Sequence, residues 1–401
     1  MSLAYRAQVA GHNVKDLASC EKLVSSLDFK YVIRLLRNRR PWEQTLSDKK
    51  ERIRFLGKGG QSSVYLVESP ACGDIVVKVV EKKDNTKREI QLVPRIKRLV
   101  DDFICPNFLY YYGVRHVGPN ALILCEYADG SLEDWLRTQH SYAEWRSFLF
   151  QFLVAVRCLQ TVLLTYHNDL KPKNLLYKRL ARPDTIFEYQ VADQQYRVPT
   201  HGYLHMVTDF GHAQSLLLPK NAMNQEQIKG HIRDGDDLTH IVTLHKRILV
   251  NAIEKVYTFQ DLSKLIEEQR DEYFAGYLRN ERARIDRDLS KRPGWQRDKM
   301  LYRSVAYYVV EKGYINHSSI PEASLPMKLP PVEIVDEISH WTDHRDVGEI
   351  LATFNEYKVP VAGAPTGKDT GAPTGKDAGE PTGIPGTPAD KNAIIVRFKM
   401  A

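Results

Sequence analysis

Residues 167–176 read His-Asn-Asp-Leu-Lys-Pro-Lys-Asn-Leu-Leu, and Thr208-Asp209-Phe210-Gly211 follows downstream. Asp169, Lys171 and Asn174 therefore fall within six residues, with a second aspartate at 209. Few chemistries need that set. Transfer of a phosphoryl group from Mg-ATP to a hydroxyl does. One carboxylate takes the hydroxyl proton and a cation screens the phosphate, while an amide oxygen and the second carboxylate hold magnesium. Taken singly, each piece is explained as well by an Asp-rich loop.

Such a site needs a partner surface for the nucleotide, and the upstream sequence offers one. Gly57-Lys58-Gly59-Gly60-Gln61-Ser62-Ser63-Val64 lies between two strand-like runs. Glycines there let a turn approach phosphate oxygens without a Cβ in the way. Alone, the run is explained as readily by an ordinary hairpin turn. Lys78 sits in the apolar run Ile75-Val76-Val77-Lys78-Val79-Val80, where a lone ammonium is costly unless an anion meets it. A solvent-facing edge position is the plainer alternative.

The elements that would carry these residues fall into two groups. From Arg52 to Ala128 the sequence is mostly β: β-branched runs separated by glycine and polar turns, with one helical segment from Lys87. Beyond Asp129 it becomes predominantly helical, with a long helix over 142–164 and further helices from about Asp237 to Lys312. Alternating apolar and polar residues between Phe187 and Thr208 predict strands, which amount to a β insertion near 177–207. The expected fold is α+β, with a small β-rich lobe over 51–128 and a larger helical lobe over 129–360, a cleft between them.

Seen in this order, Gly57, Lys78, Asp169, Asn174 and Asp209 resemble the protein kinase family over roughly residues 52–250. The resemblance implies that Gly57, Gly59 and Ser62 line the triphosphate, Ser62 standing where the family has a third glycine. Val64 then covers the adenine, and Lys78 bridges the phosphates and pairs with a helix glutamate. Glu89 is the candidate for that glutamate, although eleven residues is a short separation and Pro94 suggests a truncated or kinked helix. The carbonyl of Glu126 and the amide of Ala128 meet adenine, Cys125 gates the pocket behind it, and Asp129 reaches the ribose. Asp169 is the base, Lys171 neutralises the transferring phosphate, and Asn174 and Asp209 hold magnesium. Lys-Pro-Lys-Asn after Asp169 resembles kinases acting on serine or threonine.

The chain also departs from the family pattern. Asn168 stands where many such kinases have arginine, which predicts activity that needs no phosphorylation of the segment after Gly211. No Ala-Pro-Glu precedes Asp237, the residue that resembles the brace of the catalytic loop. These departures, with Cys105-Pro106-Asn107-Phe108, resemble the divergent serine/threonine kinases of large DNA viruses. The partner implied is a protein with a Ser or Thr acceptor. A kinase-like phosphotransferase for a small hydroxylated molecule and a pseudokinase scaffold are the alternatives.

The rest of the chain is read more plainly. The formal charge of +7 over 401 residues, with both signs interspersed, describes a solvated surface and no nucleic-acid groove. Within 279–299, eight Lys/Arg face four Asp/Glu, a balance that could dock an acidic substrate or membrane surface, but pairs such as Glu281 with Arg284 favour a solvated helix. Trp295 and Tyr302–Val310 are expected to pack in the larger lobe. Five scattered cysteines suit reduced thiols in a cytosol-like compartment, or a host cytoplasm or virion for a viral protein. Neither a secretion signal nor a membrane span is expected. Residues 1–50 are read as a helical extension, from the periodicity over 13–40. Residues 361–392 are a Pro/Gly/Thr repeat linker, and 393–401 a tail or one added edge strand.

Overall fold

β-Branched and aromatic residues from Glu51 onward pair as strands, as their alternation predicts. The computed structural model describes residues 43–46, 51–58, 62–69, 73–81, 84–219, 221–233, 235–341, 344, 346–360 and 395–399. The first lobe holds Glu43–Leu46 (β1), Glu51–Lys58 (β2), Ser62–Ser69 (β3) and Gly73–Glu81 (β4). Asp84–Asp101 (α1), Tyr111–Val117 (β5) and Asn120–Glu126 (β6) complete it. The strands form one antiparallel sheet in the order β1-β2-β3-β4-β6-β5. β1 lies within the stretch expected to be a helical extension, and the periodic residues 13–40 lie outside the described ones.

Period-2 alternation on β4 sends Ile75 and Val77 to one core, with Ile53, Val67, Leu122 and Leu124. Val76 and Val80 go to the other, beneath α1. Lys78 lies between those two in register, so it emerges on the α1 side. The helix is not shortened by Pro94, which corrects the expectation: α1 continues seven further residues to Asp101. Pro94 is exposed, while Leu92, Val93, Ile96, Leu99 and Val100 bury the opposite stripe. That apolar anchorage offsets the backbone bond the proline cannot make.

The second lobe begins with Gly130–Ser131 (β7), Leu132–Trp135 (α2), Tyr142–Thr161 (α3) and Thr165–Tyr166 (β8). Ser141 and Glu144 close a capping box on α3, whose buried residues run almost all round, as a central helix requires. Leu175–Arg179 (β9), Ile186–Val191 (β10), Gln194–Pro199 (β11), Tyr203–Val207 (β12) and Gln214–Ser215 (β13) follow. The helices then resume with Gln225–Arg233 (α4), Asp236–Val242 (α5), Leu244–Val256 (α6) and Phe259–Glu268 (α7). Phe274–Asp288 (α8), Gly294–Glu311 (α9), Val332–His340 (α10) and Val347–Leu351 (α11) close the lobe. Val305, Ala306 and Val309 of α9 pack on α6 and α7, but Trp295 is 65% exposed, against expectation.

β9 pairs antiparallel with β12, and β10 with β11 as an inserted hairpin. Ile395–Lys399 (β14) adds to that hairpin as a parallel edge strand, so the end of the chain is more than a tail. Phe398 is buried against Phe187 and Tyr189. The hairpin is tied inward through Tyr189, whose hydroxyl donates to Asn107 Oδ1 at 2.9 Å. Asn107 Nδ2 in turn donates to Gln151 Oε1 of α3 and to the His205 carbonyl of β12. The repeat linker 361–392 lies outside the described residues. No described helix is long and apolar enough to cross a membrane.

Candidate active site

Lys78 is one of the points where the two lobes meet. Its Nζ lies 2.7 Å from Glu89 Oε1 on α1 and 2.7 Å from Asp209 Oδ1 in the second lobe. Burial disfavours the ammonium, but the two carboxylates outweigh it and hold Lys78 above the ordinary lysine range. The carboxylates differ. Burial pushes Glu89 up despite its partner, whereas at Asp209 the pull of Lys78 prevails over burial and lowers the pKa. Asp209 is thus the anion held charged at the open side of the cleft, with its side chain 39% exposed against 2% for Glu89.

The loop between β8 and β9 supplies the other cluster. Lys171 Nζ donates to Asp169 Oδ2 at 2.7 Å. Asn174 Nδ2 donates to the same oxygen at 3.0 Å and to the Asp169 carbonyl at 2.8 Å. The loop is held from below by buried Asp237, whose two oxygens accept the backbone N–H groups of His167 and Asn168 at 2.8 and 3.0 Å. Burial raises the Asp237 carboxyl to about 7 against the pull of those amides. Asn168 has a φ of 62° and Asp209 one of 65°, so both loops carry a left-handed residue other than glycine.

His167 links the two loops. Its Nε2 lies 3.0 Å from the Thr208 carbonyl, so Nε2 carries the proton. Burial lowers its pKa to about 4 and keeps the ring neutral. Its ring packs on Phe210, which in turn packs on Phe108. Phe210 is fully buried, which leaves Asp209 as the outward member of Asp-Phe-Gly.

The strand between the lobes ends at Glu126, and Tyr127, Ala128 and Asp129 follow it. Cys125 is buried, and burial raises its thiol far above the ordinary range. Asp129 Oδ2 accepts the backbone N–H of Arg179 at 2.6 Å, which ties one oxygen of this carboxylate to β9. Lys178 was not anticipated by the sequence reading. It is buried on β9, donates to the Tyr127 carbonyl at 3.0 Å and lies 3.5 Å from Glu126 Oε2.

Above the cleft, β2 and β3 bring Gly57 opposite Val64, and Val64 opposite Lys78. A Cβ added at Gly57 would meet nothing within 4 Å, so protein packing does not demand the glycine and the space beside it is open. Ser62 begins β3 opposite Val80. Gly59 lies outside the described residues.

The segment after Gly211 is short and held by amide side chains. Asn221 bonds Ser215 at both backbone groups, and Gln214 Oε1 accepts from Ala222 N. β13 pairs with β8, next to the loop that carries Asp169.

The polar groups suit a hard cation. Both hydrogen bonds of the Asn174 side chain use Nδ2, leaving Oδ1 as its acceptor, and Asp209 is held charged by Lys78. Among the described residues no group of three or more His, Cys, Asp or Glu is placed to hold a metal alone. Residues 50–229 match the family model described as protein kinase domain. No curated protein matches the chain. The match supports a two-lobed α+β kinase fold and phosphotransfer activity, with the β sheet as the first lobe and the helices as the second.

Proposed function

We propose that the kinase domain of residues 50–229 transfers the γ-phosphate of ATP to Ser or Thr hydroxyls of protein substrates. The observation that carries this reading is the convergence of Lys78 and Asp209 across the cleft, beside a loop in which Lys171 and Asn174 both grip Asp169. Residues 51–128 serve as the upper lobe and 129–360 as the lower.

Each residue then has a task set by its chemistry. Asp169 accepts the proton of the acceptor hydroxyl, and its bonds to Lys171 and Asn174 orient the carboxylate for it. Lys171 stays beside the transferring group as a counter-charge. Lys78, fixed by Glu89, directs its ammonium to the α- and β-phosphates. Gly57, Gly59 and Ser62 would offer backbone N–H groups to the phosphates, and Val64 would cover the base. The Glu126 carbonyl and the Ala128 N–H hold its edge. Asn174 Oδ1 and Asp209 would hold magnesium, which supplies charge neutralisation on the phosphates when bound.

The serine/threonine assignment rests on Lys171-Pro172-Lys173 after Asp169. The test is incubation with labelled ATP and magnesium, with and without generic protein acceptors, followed by phosphoamino-acid analysis. Label on Ser or Thr, lost in Asp169→Asn, is the expected result. Label on tyrosine, or only on small-molecule alcohols, would overturn the assignment.

A further inference from the structure

Lys178 is a buried lysine in a place where the transfer chemistry has no use for it. It lies on β9, four residues beyond Asn174, and its side chain is only 7% exposed. A buried ammonium is retained when its donors and its charge are met. Here both conditions hold. Nζ donates to the Tyr127 carbonyl at 3.0 Å and sits 3.5 Å from Glu126 Oε2. The other carboxylate oxygen of Glu126 accepts the Tyr110 N–H at 2.8 Å, so the pair is also anchored to the residue just before β5.

The Tyr127 carbonyl belongs to the same planar amide as the Ala128 N–H. That peptide is trans, so its C=O and N–H point in opposite directions. Fixing the oxygen on Lys178 therefore fixes the N–H on the far side of the plane. The positive charge also polarises the amide and makes that N–H a stronger donor. We infer that Lys178 is a positioning residue for base recognition: it aims the Ala128 N–H at an acceptor on the nucleotide base and so selects adenine over guanine. The inference rests on the adenine-site reading above. Adenine presents an acceptor nitrogen at N1, whereas guanine carries a proton there and meets the aimed N–H with a second donor.

Lys178→Met removes the aim and leaves the phosphate and proton-transfer groups in place. We expect its KM for ATP to rise about tenfold, the loss of one well-directed hydrogen bond, with kcat within about twofold. The ratio of Kd for Mg-GDP to Kd for Mg-ADP, measured by calorimetry, should fall by a similar factor. Because the substitution also strands the Glu126 carboxylate, the double variant Lys178→Met/Glu126→Gln separates folding from aim. Its Tm should return toward that of the unaltered protein, while its KM for ATP stays raised. An unchanged nucleotide preference in Lys178→Met, or recovery of the KM together with Tm in the double variant, would overturn the inference alone. Failure of the unaltered protein to bind Mg-ADP would overturn the adenine-site reading, and this inference with it.

Discussion

Lys78 and Asp209 are 131 residues apart in the chain, and their side chains meet at 2.7 Å. Glu89 shares the same ammonium from the opposite side. The cation therefore ties α1, β4 and the Asp-Phe-Gly turn together across the cleft. Three charges with one cation among them make a site whose members are not independent.

Replacing Lys78 with Met removes that shared cation and leaves Glu89 buried beside Asp209. Turnover should fall by roughly a hundredfold or more, because an electrostatic group aimed at the phosphates is lost. Initial rates with labelled ATP check this. Glu89→Gln should cost less, since the ammonium keeps Asp209; equal losses in the two variants would show that α1 does more than orient Lys78.

Asp169→Asn should separate binding from chemistry. The loss of a general base predicts a fall in kcat of about 10² to 10⁴, with the thermal shift produced by Mg-ATP retained. Retained protein labelling in this variant would remove Asp169 from the mechanism.

The segment after Gly211 is held by Asn221 and Gln214 through neutral hydrogen bonds. Phosphatase treatment of the purified protein should therefore leave its activity unchanged. Asn221→Ala should loosen the segment and lower kcat, visible as faster amide exchange at Ser215. Activity abolished by phosphatase would show that the segment needs a phosphate after all.

Two buried histidines set an acid limit. Burial lowers the pKa of His205 to about 3 and of His167 to about 4, against an ordinary 6.5. Below pH 6.5 the unfolded chain takes up these protons first, so their stability is complete above that pH and is lost as pH falls toward 4 and 3. Asp237, raised to about 7, works in the opposite sense between about 4 and 7 and offsets part of the loss. His205→Gln should flatten the fall in stability between pH 6.5 and 4.5 by about 2 to 3 kcal/mol, read from urea melts at each pH. An unaltered slope would mean that His205 titrates alike in both states.

Phe398 tests the added edge strand. Its ring is buried between Phe187 and Tyr189, and Phe398→Ala should destabilise the protein by about 3 kcal/mol. Urea denaturation gives the number; a change within 0.5 kcal/mol, on the order seen at exposed sites, would place the strand off the hairpin in solution.

The sequence displayed the chemistry-bearing residues well, because acids, amides and lysines at fixed spacing have few uses. Asp237 was legible only through the family resemblance, and its bonds to the His167 and Asn168 amides agree with a bracing role. The short Lys78–Glu89 spacing and Pro94 suggest a truncated helix, but the buried stripe of Leu92, Ile96 and Leu99 carries α1 past Pro94 to Asp101. Lys178 was hidden by alternation. On β9 both Tyr177 and Lys178 are buried, so the period of two that assigns faces fails where a strand is covered on both sides. α4 was missed because its polar sequence Gln-Glu-Gln-Ile-Lys-Gly-His-Ile-Arg buries only Ile228. Asp129 followed position alone, and its Oδ2 accepts the Arg179 N–H.

The bond from Tyr189 to Asn107 bears on how this domain could be pruned. An inserted hairpin usually invites excision by a protein engineer seeking a smaller catalytic core. Here, removing residues 186–199 would strip the hydroxyl that Asn107 Oδ1 accepts from. The same asparagine grips the strand that leads into Asp209, at the His205 and Val207 backbones. A minimised version would leave that oxygen only the weak Cys105 thiol donor at 3.9 Å, unless another donor is supplied or the asparagine is replaced together with Gln151. The hairpin is thus a keystone, and trimming it without its partners should cost the fold.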